Sequence, residues 1–419
     1  MNVTPLHPSS VPPASVEAPP PPASEPRVLR PRRAAPADAV RPTRAEVNLQ
    51  ALRHNLHVAR RHAGSSAVWA VLKADAYGHG APAVARTLER AGADGFCVAL
   101  LEEGIELRDA GIRAPILVMG GYYGGAYAEL VARRLTPVVY DRGQIEGLAR
   151  LVTTGQVPGP ISIHLKVDTG MARLGVSLAE LKGEAGIAAR LAALPQLHVV
   201  GLMTHLASAD ADTLEDVHAQ MARFEEATRV LAAHGIRPTV RHAANSAALL
   251  RGEALLDLVR PGLALFGASP VLTSGRRLSS DLRPVMKVRS EIVDLRDVAA
   301  GDTVGYGGTF RASRPSRIAT VPIGYADGLS RHLSNRGHLL VRGARAPICG
   351  AVSMDMSMID VTDLPGASLR DEVVVLGAQD GPLGESVVTA DEIAAHMGSI
   401  PWEVLTSISR RVPRFYREP

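Results

Sequence analysis

Hydrophobic positions along the chain fall into two regimes. From residue 68 to about 260, short apolar runs alternate with stretches in which apolar residues recur every three or four positions. The runs are VWAVLKA, GFCVAL, PILVMG, TPVVY, SIHLKVD, VVGLMTHL, TVRHAA and LDLVRPG; near-continuous apolar runs of this length fit strands buried on both faces of a parallel sheet. Between them, APAVARTLERAG, LEEGIELRDAG, RGQIEGLARL and LEDVHAQMARFEEATRVLAAHG carry the helical period. Eight strand-helix units within roughly 220 residues predict an α/β fold, a TIM-like (β/α)8 barrel. A doubly wound open sheet is the alternative, and it would more naturally carry a GxGxxG turn after its first strand, which this chain lacks. After Leu282 the helical period stops. VMKVRSEIVDL, RIATVPIGYA, HLLVRGARAPIC, SMIDVTDL and DEVVVLG, separated by turns such as AAGD and RGA, predict a mainly antiparallel β domain. Ahead of the barrel, AEVNL reads as a short strand and ALRHNLHVARRHAG as a helix with Leu52, Leu56 and Ala59 on one face.

The chain thus divides into a tail (1–40), a barrel (41–281) and a C-terminal β domain (282–419). The tail is rich in Pro, Ala and Ser, with four prolines at Pro19 to Pro22, and buries too little apolar surface to offset its ordering entropy, so it is expected to be disordered. MNVTPLHPSSVPP lacks the basic start and apolar core of a secretory signal, and no stretch is long and apolar enough to span a bilayer. With 419 residues, 46% hydrophobic and 21% charged, two domains are expected. The net charge of +4 is concentrated in the tail and in the closing RRVPRFYR, and aromatics make up only 4%, so a nucleic-acid partner is not expected. Cys97 and Cys349 lie far apart, with no CxxC or Cys/His cluster, so no disulfide framework or metal site is expected, and a reducing cytoplasm fits. His54, His57 and His62 on the first helix lack an acidic partner at ligand spacing and read as solvated.

The chemistry is concentrated behind the first barrel strand, in VWAVLKADAYGHG. A lysine at the end of a buried strand is costly unless it is paired, neutralised or used covalently, and a Schiff base with a carbonyl cofactor is one such use. A lysine snorkelling from the strand end is the other reading of Lys73. Catalytic groups of such barrels gather at the C-terminal ends of the strands. There the chain places Lys73 after strand one, Lys166, Asp168 and Arg173 after strand five, His205 after strand six, Asn245 and Ser246 after strand seven, and Arg260 and Gly262 after strand eight. Ser246 offers a hydroxyl, and the Gly262-Leu263 turn offers backbone N–H groups for a phosphate. A candidate Schiff-base lysine facing a phosphate cradle describes a pyridoxal 5'-phosphate site.

AVLKADAYGHG, KVDTGMARLG, THLASAD, HAANSAA, VRPGLALFG, VGYGGTF, PIGYADG, VSMDM and IPWEVLTSISRRVPR, in this order, resemble bacterial alanine racemase from about Thr43 to Arg414. The resemblance implies a pyridoxal phosphate homodimer that interconverts L-alanine and D-alanine, supplying D-alanine for peptidoglycan, with each active site completed across the subunit interface. It implies two bases, Lys73 on one face and Tyr306 of the partner subunit on the other, with His205 linking that tyrosine to Arg260, whose guanidinium faces the pyridine nitrogen. Tyr77, Asn245, Ser246, Gly262, Leu263 and Trp402 would hold the cofactor with Lys73 and Arg260, and Arg173 and Met354 would hold the substrate. Tyr325 and Asp355 match a gate, and Lys166 a position carbamylated in some relatives. Two departures stand out: Trp402 replaces a tyrosine of the family's phosphate contacts, and Thr406 replaces a cysteine often found downstream. An amino acid racemase of other or broader specificity, for example for serine, is the nearest alternative. A related barrel decarboxylase should place an acidic residue against the ring nitrogen, where this chain has Arg260. A non-catalytic pyridoxal-binding protein would be a barrel without the roughly 130 residues after Leu282, enough for a domain of their own.

Overall fold

The computed structural model describes residues 39–120, 126–270, 272–273, 276–277 and 281–418; the disorder expected for the tail concerns residues almost wholly outside these. The first described strand, β1 (Arg44–Asn48), is followed by the helix Leu49–Ala63. Asn48 caps that helix by accepting the Ala51 N–H, and Gly64, at φ 61°, ends it. Leu52, Leu56 and Ala59 are buried along its inner face, as the period implied.

Eight parallel strands then follow: β2 (Ala67–Val71), β3 (Gly95–Val98), β4 (Ile116–Val118), β5 (Thr136–Val139), β6 (Ile161–Lys166), β7 (Leu197–Met203), β8 (Val240–His242) and β9 (Leu258–Val259). Each pairs with the next from β2 to β8, and β9 returns to β2 with Ala67 opposite Leu258. Backbone bonds from Asp257 N to Arg241 O and from Arg260 N to Ala244 O bring β9 against β8, so the sheet is a nearly closed barrel. Its strands carry no outward polar stripe because helices cover them. β3 and β4 are buried at every residue.

A two-residue ribbon, β10 (Leu272–Thr273) and β11 (Arg276–Arg277), precedes the second domain. There β12 (Met286–Glu291), β13 (Asp294–Val298), β14 (Thr303–Val304), β15 (Phe310–Arg311), β16 (Ser316–Val321), β17 (His338–Val341), β18 (Ala344–Pro347), β19 (Ser357–Asp360), β20 (Glu372–Gly381), β21 (Gly384–Val388) and β22 (Arg414–Arg417) form mainly antiparallel sheets. The largest has the order β18, β17, β20, β12, β1, β22, with β21 added on β20. β1 therefore runs in the second domain's sheet, antiparallel to β12 and parallel to β22, although it precedes the barrel in sequence. Buried Asn55 reinforces the junction: its amide donates to the carbonyls of Leu265 and Arg283 and accepts the Arg283 N–H. No helix among the described residues is long and apolar enough to cross a membrane.

Candidate active site

Strand β2 delivers Lys73 to the barrel mouth because the amides of Val71 and Leu72 are fixed by the carbonyls of Pro261 and Cys97. The chain then makes an unusual turn. Ala74, Asp75, Ala76 and Tyr77 all have φ between 51° and 58°, a left-handed turn built without glycine, which costs about 1–2 kcal/mol per residue. Glu103, in the first turn of the helix Leu101–Asp109, holds it, its carboxylate accepting the N–H groups of Ala74, Ala99 and Leu100. Asp75 accepts the Ala81 N–H, and Arg414 of β22 donates to the Gly78 carbonyl, so the last strand clamps the turn. Buried His79 stacks on Phe266 with ring centroids 4.4 Å apart.

The turn closes one side of a cavity of about 230 Å³ lined by Lys73, Tyr77, His205, Asn245, Ser246, Arg260, Gly262, Leu263 and Trp402. Lys166 and Arg173 stand close by, and their charges act on the same groups. Burial and then the Arg173 guanidinium lower the Lys73 ammonium, so it gives up its proton more readily than a free lysine. Burial, Arg173 and Arg260 bring Lys166 down to about 8. Burial and Arg260 hold His205 well below the usual imidazole range. Asp168 accepts the N–H groups of Gly170, Met171 and Ala172; burial opposes its ionisation, but these three bonds keep its carboxyl below the ordinary value.

Arg260 is almost wholly buried. Its Nη1 donates to His242 Nδ1 at 2.6 Å, and its Nη2 donates to the carbonyls of Thr204 and Ala243 and to His205 Nδ1 at 3.4 Å. A guanidinium only donates, so both imidazoles accept through Nδ1 and carry their proton on Nε2. His242 Nε2 then donates to His164 Nδ1 at 2.8 Å. Burial lowers His164 to about 4 and Arg260 to about 10, and burial with the Arg260 charge lowers His242. The result is a buried cation whose acceptors among the described residues are neutral. His164 and His242 had no distinguishing sequence signal, since each sits within an ordinary barrel strand.

The opposite end of the cavity suits a phosphate. Ser246 Oγ accepts the N–H groups of Gly262 and Ala264, while Asn245 caps the helix Ser246–Arg251 by accepting from Ala247 and Ala248. A Cβ on Gly262 would lie 2.2 Å from Tyr77 Oη, so only glycine permits this approach of backbone to phenol. A lysine with a lowered pKa, a buried guanidinium with no carboxylate partner among the described residues, and a cluster of hydroxyl and N–H groups fit pyridoxal phosphate. A larger cavity of about 440 Å³ lies between the barrel and the second sheet, lined by apolar residues including Phe266, Val285 and Leu376 and by Glu46, Lys287, Asp391 and Arg417; none of the residues expected at the strand ends lines it.

Residues 47–270 match the alanine racemase N-terminal domain and residues 285–416 the alanine racemase C-terminal domain. The chain belongs to the alanine racemase family. It is 63% identical to an alanine racemase of Sorangium cellulosum over 387 residues, 91% of this chain and 100% of that relative. The alanine racemase of Streptomyces coelicolor A3(2) superposes with a TM-score of 0.82 at 36% identity, covering 91% of this chain and 99% of that one. The alanine racemase of Bartonella henselae with covalently bound pyridoxal phosphate superposes at 0.77 with 30% identity, covering 90% and 99%. The family depends on pyridoxal phosphate, and so does this chain.

The remaining expected site residues lie elsewhere on the single chain. Tyr306, between glycines in a short 3-10 turn, is 74% exposed on the second domain and does not line the cavity that holds Lys73. Tyr325, Met354 and Asp355 are also exposed there; Tyr325 N and Ala326 N donate to the carbonyls of Ser353 and Met354, and Asp355 pairs with Arg411 at 2.7 Å. Buried Asp327 braces this loop by accepting from Gly324 N–H and bidentately from Arg41 at 2.9 and 2.6 Å. Glu103 and Asp327 were absent from the sequence-level candidates. Each carboxylate joins local N–H groups to a partner distant in sequence, Ala74 for Glu103 and Arg41 for Asp327.

Proposed function

We propose that the chain is a homodimeric, cytoplasmic alanine racemase that interconverts L-alanine and D-alanine by two bases and supplies D-alanine for peptidoglycan. The division into a tail (1–40), a barrel (41–281) and a β domain (282–419) belongs to this reading, with β1 contributed to the second sheet. The observation that carries it is the meeting of Lys73 and Arg260 in one cavity while Tyr306 stands exposed on the other domain. Racemisation removes an α-proton from one face and returns one to the other, so it needs a base on each side. Lys73 serves one face, and its lowered pKa leaves more of it neutral at working pH. Tyr306 of the partner subunit serves the other, with Nε2–H of His205 directed by the Arg260 contact at Nδ1.

When bound, pyridoxal phosphate draws electron density from the substrate's α-carbon and so acidifies its C–H bond. Tyr77, Ser246 and the Gly262 and Leu263 backbone would hold its phosphate, with Asn245 and Trp402 beside them. Arg260 would offer the ring nitrogen donors without a transferable proton, which limits the electron sink and disfavours transamination. Arg173 and the partner's Met354 would hold the substrate carboxylate. The partner's Tyr325 and Asp355 would border the mouth, and Lys166, already partly neutral at its lowered pKa, is the candidate for carbamylation. The exposed Tyr306, Tyr325, Met354 and Met356 support a subunit interface on this face. Buried free thiols at Cys97 and Cys349 support a reducing compartment. The test is to mix protein and L-alanine in deuterated water: exchange of the α-proton together with formation of D-alanine is expected, and exchange without inversion would leave a cofactor-binding protein that is not a racemase.

A further inference from the structure

Far from Lys73, the second domain brings three potential metal ligands together. His338 opens β17. Glu392 and His396 lie one turn apart on the helix Ala390–Met397, so both side chains face the same way. One ligand atom from each of His338, Glu392 and His396 lies within 4.8 Å of the other two. All three residues line a small space of about 10 Å³ walled by Leu329, Leu333, Val375 and Ile393, close to the least volume that holds one water or one ion. His338 Nδ1 is buried without a hydrogen-bond partner among the described residues. Arg345 of β18 grips Glu392 with both Nη atoms and holds its carboxyl below the ordinary range.

We propose that His338, Glu392 and His396 form a binding site for one divalent transition-metal ion of the zinc type. Two imidazoles and one carboxylate make a borderline nitrogen-rich donor set, which suits zinc, cobalt or nickel and not magnesium or calcium, whose preferred ligands are oxygens. With the ligand atoms within 4.8 Å of one another, small side-chain rotations bring all three onto one ion, and water completes its shell. Arg345 remains as the outer partner of the carboxylate, since ligating carboxylates are themselves hydrogen-bonded. The ion ties the helix Ala390–Met397 to β17. It takes no part in racemisation.

The experiment uses untagged holoenzyme, stripped with a chelator and dialysed against increasing cobalt(II), with bound metal measured by elemental analysis and visible absorption. One cobalt per chain is expected, with a rise in Tm as cobalt is added, because a ligand of the native state stabilises it by mass action. His338→Gln and His396→Ala, on two different elements, should each lose the bound cobalt and the Tm rise while racemising alanine at the unchanged metal-free rate. Less than one cobalt per chain at saturation overturns the proposal. So does full binding in both variants, which would place the metal on other histidines.

Discussion

A single guanidinium organises the polar interior of the barrel. Arg260 is buried beside Cys97 and three histidines, and a charge in such a place is stable only if every neighbour is a fixed acceptor. The sequence made Arg260 and Lys73 legible because each interrupts or ends a largely apolar run. His164 and His242 were illegible for the opposite reason: a histidine inside a strand is compatible with many packed environments, and only three-dimensional contact turns these two into acceptors in series. Trp402 shows what a departure from a family pattern means locally. It is the second residue of the helix Pro401–Ser407 and borders the cavity, half-buried. An indole has one N–H and is wider than a phenol, so its main effect should be to narrow the space beside the substrate's side chain. Trp402→Tyr should therefore lower the ratio of kcat/KM for L-alanine to that for L-serine and L-2-aminobutyrate by roughly tenfold or more, the scale of one methylene in a pocket. Unchanged ratios with weakened cofactor binding would instead make Trp402 a phosphate ligand.

At the scale of elements, the decisive piece is the left-handed turn Ala74–Tyr77. Nothing in ADAY announces it, because positive φ is normally signalled by glycine, and here the strain is borne by residues that avoid it. The barrel strands were legible since their burial follows from continuous apolarity, whereas the first helix starts at Leu49, two residues ahead of its ALRHNLHVARRHAG pattern, because Asn48 caps it there. The turn is held by tertiary contacts instead, chiefly Glu103 and Arg414. Replacing Glu103 with Ala leaves the N–H groups of Ala74, Ala99 and Leu100 without their acceptor, at a cost of about 1–3 kcal/mol where they stay shielded from water. The turn should then relax toward ordinary backbone and move Lys73. The expected outcome is a lower Tm together with a fall in kcat, and Glu103→Gln should recover part of both through its remaining carbonyl. A Glu103→Ala enzyme with unaltered kcat would show that the turn holds Lys73 without this carboxylate.

The whole molecule is stitched by strands that cross its sequence order. A five-residue alternating strand such as β1 does not say which sheet it joins, so its place between β12 and β22 became visible only in three dimensions. Burial of uncharged histidines is another global property, and it sets an acid limit on stability. His79 and His164 are held at about 4 in the native state, against 6.5 when unfolded. Below 6.5 the unfolded chain takes up protons that the native state refuses, so their contribution is complete above 6.5 and is lost as pH falls toward 4, by up to about 3 kcal/mol for each. Urea midpoints should accordingly fall between pH 7.5 and 5, and a flat profile would mean that both rings find charged-state partners in the fold. The exposed Tyr306 leads to the last expectation. If each site combines Lys73 of one subunit with the partner's Tyr306, then Lys73→Ala and Tyr306→Phe proteins are each inactive for different reasons. A heterodimer of the two has one site lacking both bases and one site with both intact. Random exchange of equal amounts makes half the dimers mixed, and the mixture should recover about a quarter of the normal activity per site. The measurement is racemase activity after mixing, with exchange followed by native mass spectrometry. Mixed dimers that form without any gain in activity would mean that both bases come from a single chain, and the exposed face bearing Tyr306 would then need another occupant.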